Sequence, residues 1–140
     1  MSKERSSIFL IAVFALIMIA PASSYGADKT KEETELNELI GIVNSKQATP
    51  QKIKIFKERL KSYFFEVVKF DVIERLLKEL PPGKALTVIV FSSLSKKSYR
   101  EIVGLMNEGK SWTEVAQKTG VKLKDVVEKI RHYRLMSGCA

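Results

Sequence analysis

Thr30-Lys31-Glu32-Glu33, Asp71-Val72-Ile73-Glu74, Ser98-Tyr99-Arg100-Glu101 and Ser111-Trp112-Thr113-Glu114 each set a hydroxyl or aspartate residue three positions ahead of a glutamate. That spacing is a capping box, in which the first side chain accepts from an orphan backbone N–H of a helix start and the glutamate reaches back. A fifth start is written as Thr49-Pro50, where proline takes the first helical position and its missing N–H costs nothing. Stops follow in the same grammar, with Pro81-Pro82-Gly83 after one segment and Gly109 and Gly120 after two others. So many helix boundaries leave little chain for a sheet. The expectation is an all-α protein, a small helical domain of about six short helices.

Apolar spacing fills in the faces. Leu36, Leu39, Ile40 and Val43 predict a first helix over about 31–45, and residues 31–48 are open to reading as a peripheral helix. From Pro50 a second helix carries Ile53, Phe56, Leu60, Phe64 and Val67 as one stripe, with Lys54, Lys57 and Lys61 beside it. Ile55 and Phe65 fall off that stripe, which marks a helix buried on more than one side, and burial at the centre of the domain is the expectation. The Asp71 box predicts a third helix over about 72–80. Ala85 to Phe91 is rich in β-branched residues, but a lone strand has no partner, so a buried helix is expected. Further helices are expected over about 99–108, 112–118 and 123–135.

The start of the chain has a different character. Lys3 and Arg5 precede an unbroken apolar run from Ile8 to Ala20, and small residues follow from Pro21 to Ala27. This order is that of a cleavable signal peptide over residues 1–26. As a helix the run would reach about 20 Å against a hydrocarbon core of roughly 30 Å, too short for a comfortable span. Residues 27–140 are then one exported domain, periplasmic or secreted, with no stable membrane span once the leader is removed. Cys139 is the lone cysteine of the 140 residues, so no intramolecular disulfide can form and the core must hold the fold.

Two stretches can be laid over each other: Leu76-Leu77-Lys78-Glu79 with Gly83 to Ile89, and Leu105-Met106-Asn107-Glu108 with Gly109 to Val115. Leu86 then stands opposite Trp112, which suggests two repeated helix-turn-helix units sharing a core. The run Gly109-Lys110-Ser111-Trp112-Thr113-Glu114-Val115-Ala116, with Gly120-Val121-Lys122-Leu123 behind it, resembles a loose group of small secreted or periplasmic bacterial proteins. That group carries a Gly-Lys-x-Trp-Gly-x-Ile-Ala core followed by Gly-x-Lys-Leu-Gly. The resemblance spans about residues 64–127 and implies a helical, exported protein and no activity. Thr113 and Lys124 stand where its pattern has glycine, which puts close packing at those positions in question.

No chemical constellation stands out. His132 is the lone histidine and no spacing of Cys, Asp or Glu joins it, so no metal or cofactor site is expected. Ser and Thr residues lack a neighbouring base in any nucleophile motif. Glu66, Asp71 and Glu74 are the carboxylates that a glycan-cleaving pair would draw on, but capping explains two of them better. The stretch that carries the resemblance also reads as a DNA-binding helix-turn-helix, with Val115, Ala116, Gly120, Val121 and Val126 at its packing positions and Thr119 and Lys129 where apolar residues are usual. Its groove-facing positions, Leu123, Val127 and Glu128, are poor readers of base edges. Trp112 is expected in the core, turned towards the helix before it.

Charge gives the one positive lead. The chain carries a formal +8, and losing Lys3 and Arg5 against Glu4 leaves +7. Residues 52–69 hold Lys52, Lys54, Lys57, Arg59, Lys61 and Lys69 against Glu58 and Glu66; residues 122–134 hold Lys122, Lys124, Lys129, Arg131 and Arg134 against Asp125 and Glu128. Together these account for the whole excess. The expectation is an exported, non-catalytic interaction or structural protein of the cell envelope, whose Lys54, Lys57, Lys61, Lys122, Lys124, Arg131 and Arg134 form one or two basic faces for an acidic envelope component or protein. A glycan-processing enzyme and a helix-turn-helix nucleic-acid binder are the alternatives. Reversing Lys54, Lys57 and Lys61 together is expected to weaken binding and leave helicity intact.

Overall fold

The computed structural model describes residues 29–137, and the expected signal peptide and Cys139 lie outside them. Seven helices follow one another among the described residues: α1 (Lys31–Lys46), α2 (Pro50–Phe64), α3 (Phe70–Glu79), α4 (Pro82–Ser95), α5 (Tyr99–Asn107), α6 (Trp112–Thr119) and α7 (Leu123–Met136). The chain is all-α, as the caps imply.

Only one of the four boxes closes in both directions. Ser111 accepts from the Glu114 N–H at 3.2 Å while Glu114 accepts from the Ser111 N–H at 2.8 Å. Thr30 caps α1 through the Glu33 N–H, but the Glu33 side chain turns away to accept from the Thr113 hydroxyl at 2.6 Å, tying α1 to α6. Thr113 therefore has a use that the glycine of the resembling pattern would lack. Ser98 accepts from the Glu101 N–H at 3.3 Å, and the Glu101 carboxylate pairs with Lys97 instead of reaching back. The Asp71 box does not form: α3 starts at Phe70 behind Lys69, with no side-chain cap, and Asp71 acts only as an acidic group in the first turn. Pro81-Pro82-Gly83 ends α3 but also begins α4, whose first helical residue is Pro82.

Helix α4 is the centre of the domain. Gly83, Ala85 to Phe91 and Ser93 are all buried, and α1, α3, α5, α6 and α7 pack against it. The Thr87 hydroxyl donates to the Gly83 carbonyl at 2.8 Å, which satisfies the one polar side chain in the Ala85–Phe91 run. This corrects the place given to α2. It buries the single stripe Phe56, Leu60 and Phe64, whereas Ile55 is 45% and Phe65 64% exposed. Val67, expected to extend the stripe, is 50% exposed because the helix stops at Phe64 and the turn sends Val68 inward instead. Helix α1 is not peripheral: Leu36, Leu39, Ile40 and Val43 join the core against α4 and α7.

The two stretches laid over each other do not fold alike. Gly83, Lys84 and Ala85 are helical in α4, whereas Gly109, at φ 80, Lys110 and Ser111 form the turn between α5 and α6. Leu86 and Trp112 are both buried, but from different helix positions.

A candidate binding groove along helix α2

Helix α2 has one buried stripe and two flanks, with Pro50 and Lys54 bordering both flanks. Its buried stripe meets α7 through an aromatic cluster: Tyr133 lies edge-on to Phe56 at 6.0 Å and to Tyr63 at 5.2 Å, and stacks with Phe64 at 5.9 Å. Tyr63 closes that seam by a 2.7 Å hydrogen bond between its hydroxyl and Nδ1 of His132. The lone histidine thus serves the α2–α7 seam. Among the described residues no group of three His, Cys, Asp or Glu could hold a metal.

One flank of α2 is committed to α3. Lys61 donates to Glu74 at 2.7 Å, with Glu58 3.7 Å from the same ammonium, and Lys57 lies 4.0 Å from Glu74. The hydrogen bond from Lys61, then its charge and that of Lys57, hold the Glu74 carboxyl below its ordinary 4.5, and the bond to Glu74 raises Lys61 in turn. A glycan-cleaving acid needs the opposite shift. Because the folded value of Glu74 is depressed, its stabilisation is present above the ordinary carboxylate range and fades as pH falls through the folded value. Wild type should therefore be slightly more stable than Glu74→Gln at neutral pH, and the difference should shrink as the pH is taken below the ordinary carboxylate range, measured by urea denaturation.

The other flank is open. Between α2 and the end of α7 lies a groove of about 1000 Å³, lined by Pro50, Lys54, Ile55, Arg59, Tyr63 and Met136 among others. Ile55 and Met136, 45% and 69% exposed, supply apolar surface, while Lys54 and Arg59 bring positive charge and Glu58, also on the wall, faces Lys61. Pro50 to Tyr63 spans about 20 Å at 1.5 Å per residue.

The basic residues expected as sites are scattered. Lys54 lines the groove, and Lys57 and Lys61 face Glu74. Lys124 pairs with Glu128 at 3.8 Å, Arg131 pairs with Glu35 of α1, Lys122 precedes α7 in an exposed position, and Arg134 is half-buried. The α2 and α7 cations therefore do not merge into one face. In the α6–α7 pair, Gly120 takes φ 72 as a tight turn requires, and the Thr119 hydroxyl donates to the Val115 carbonyl at 2.7 Å, which allows a polar residue at an apolar position. Val127, expected to face a DNA groove, is 2% exposed and packs in the core where α7 meets α1, so it is not offered to a base edge.

Ile55 was visible in the sequence as the residue off the stripe. Tyr63, Met136 and Pro50 were not, because the groove exists only where α7 stops short beside α2. The geometry defines a small all-α protein with an apolar, basic-edged groove. No family model, curated protein or solved structure matches the chain.

Proposed function

We propose that this is an exported, non-catalytic binding protein of the cell envelope whose α2 groove receives an amphipathic, acidic helix of a partner protein. The groove carries the reading: Ile55 and Met136 offer apolar contact, Lys54 and Arg59 offer charge, and the α2 wall matches about three to four helical turns. Export rests on the charged, apolar and small-residue order of residues 1–26. A helix with leucines on one stripe and glutamates flanking it satisfies both features of the groove.

The test uses two labelled helical probes of about 14 residues, identical except for glutamate or lysine beside the leucine stripe. The glutamate probe binds, more weakly as salt rises, and Ile55→Glu or the pair Lys54→Glu with Arg59→Glu lowers its affinity at least about tenfold in fluorescence anisotropy. Equal binding of both probes, or indifference to Ile55→Glu, overturns the reading. A chain that elutes as a dimer and dissociates on Ile55→Glu assigns the groove to a second copy instead. The triple reversal of Lys54, Lys57 and Lys61 is a poor test, because it would set new acids against Glu74.

A further inference from the structure

A second exposed apolar cluster lies in the turn that follows α2, and none of its residues lines the groove. Between Phe64 and Phe70 the chain turns, burying Val68 but leaving Phe65 64%, Val67 50% and Phe70 52% exposed. Water-exposed phenylalanines this close in sequence are unusual where the same turn has an inward position that Val68 already fills.

Cations surround this turn. Glu66 and Val67 share a shallow depression with Lys96 and Lys97, which follow α4, and with Ser92, Ser93 and Ser98. The Lys61 ammonium lies 5.6 Å from the centre of the Phe70 ring. Lys61 and Lys97 are paired with Glu74 and Glu101, but Lys69 and Lys96 are exposed and take no carboxylate among the described residues. Two residues beyond Lys97, the guanidiniums of Arg75 and Arg100 both donate to the Tyr99 hydroxyl, at 2.9 and 3.3 Å, and neither is paired with a carboxylate among the described residues. Two guanidiniums sharing one neutral acceptor leave most of their donors for an anion. Glu66, Asp71 and Glu101 are exposed acids nearby, Glu101 being the partner of Lys97, and they are fewer than Lys69, Lys96, Arg75 and Arg100.

We propose that the 65–70 turn docks on an anionic phospholipid bilayer, with Phe65, Val67 and Phe70 entering the boundary between headgroups and acyl chains and Lys69, Lys96, Arg75 and Arg100 meeting lipid phosphates. The occupant follows from the shape as well as the charge. The depression beside these apolar side chains is polar, so they form no groove for a partner's helix, whereas a bilayer accepts separate apolar side chains with cations between them. No helix among the described residues is long and apolar enough to cross a membrane, so the contact is peripheral and reversible. It uses none of the residues that line the groove.

The test is co-sedimentation of the chain beginning at Ala27, whose residues 29–137 hold one continuous core, with vesicles of phosphatidylcholine alone or with about 30% phosphatidylglycerol, a composition that supplies the negative surface potential. The chain should sediment with the anionic vesicles and not with the neutral ones. The pair Phe65→Ser with Phe70→Ser should lower the partition coefficient at least about tenfold, and the pair Lys69→Glu with Lys96→Glu should do so at low salt. Ile55→Glu should bind as wild type does, which keeps this result separate from the groove. Circular dichroism should show all variants folded, since each replaced side chain is exposed. Equal sedimentation with both vesicle types, no sedimentation with the anionic ones, or binding that ignores the phenylalanine pair would overturn the proposal.

Discussion

Replacing Trp112 by alanine should lower the free energy of unfolding by about 3 to 5 kcal/mol, the range for large aromatic truncations in cores. Trp112 is the first residue of α6, locked in place by the reciprocal Ser111–Glu114 cap, and only 8% of it is exposed. Its indole stacks on Phe91 at 5.7 Å and 14° between planes, so the ring fastens α6 to the central helix α4 and not merely to the helix before it. Truncation leaves a cavity between two elements joined by few other contacts. Urea denaturation followed by circular dichroism measures the loss, and a value below about 1 kcal/mol would mean that Phe91 and Trp112 do not hold that seam.

The second large effect is expected at Gly83, where substitution tests how closely α1 and α4 approach. A Cβ there would lie 2.5 Å from the Ile40 carbonyl oxygen and 2.9 Å from its Cα, both backbone atoms that cannot rotate away. The Gly83 N–H also donates to the Asn44 side chain at 2.7 Å, a bond that requires the same proximity. Helix propensity alone favours Ala over Gly by up to about 1 kcal/mol, but overpacking a fixed backbone contact costs about 1 to 3 kcal/mol or more. The clash wins, so Gly83→Ala should destabilise and lower Tm by several degrees, roughly 4 to 8 °C per kcal/mol. Gly104 in α5 supplies the opposite sign, since nothing lies within 4 Å of its added Cβ and Gly104→Ala should stabilise slightly. Thermal melts that ranked the two variants the other way would contradict the α1–α4 packing.

These two positions show how far the sequence could be read. Helix starts are local chemistry, so Thr30, Thr49, Ser98 and Ser111 announced themselves. Asp71 failed because the chain enters α3 two residues earlier, and Glu74, the other half of that box, is drawn to Lys61 across a tertiary contact. Glu33 was diverted to Thr113 in the same way. The central helix was misplaced because an off-stripe Ile55 and Phe65 suggested all-round burial of α2, while the stronger signal lay in the uninterrupted Ala85–Phe91 run. Burial of α1 was missed because its Leu36–Val43 stripe reads the same whether it packs at the edge or at the centre. As for the site, the sequence offered Lys54 and the anomaly of Ile55. It could not offer the groove, which depends on where Met136 comes to rest beside α2. Lys57, Lys61, Lys124 and Arg131 looked available because their acidic neighbours, except Glu58 beside Lys61 and Glu128 beside Lys124, lie in other helices.

The central claim, that the outer face of α2 receives an acidic helix, is most directly tested by placing a photo-crosslinking amino acid at Ile55 in the chain expressed from Met1 to Ala140. Ile42 of α1, 38% exposed and outside the groove, is the matched control position. Irradiation of the envelope fraction should give a discrete adduct from position 55 alone, and mass spectrometry should map it to an amphipathic segment flanked by Asp or Glu. Adding Lys54→Glu and Arg59→Glu should abolish that adduct. The absence of an adduct at position 55, the same adducts from positions 55 and 42, or an adduct that maps to a basic or non-amphipathic segment would contradict the claim.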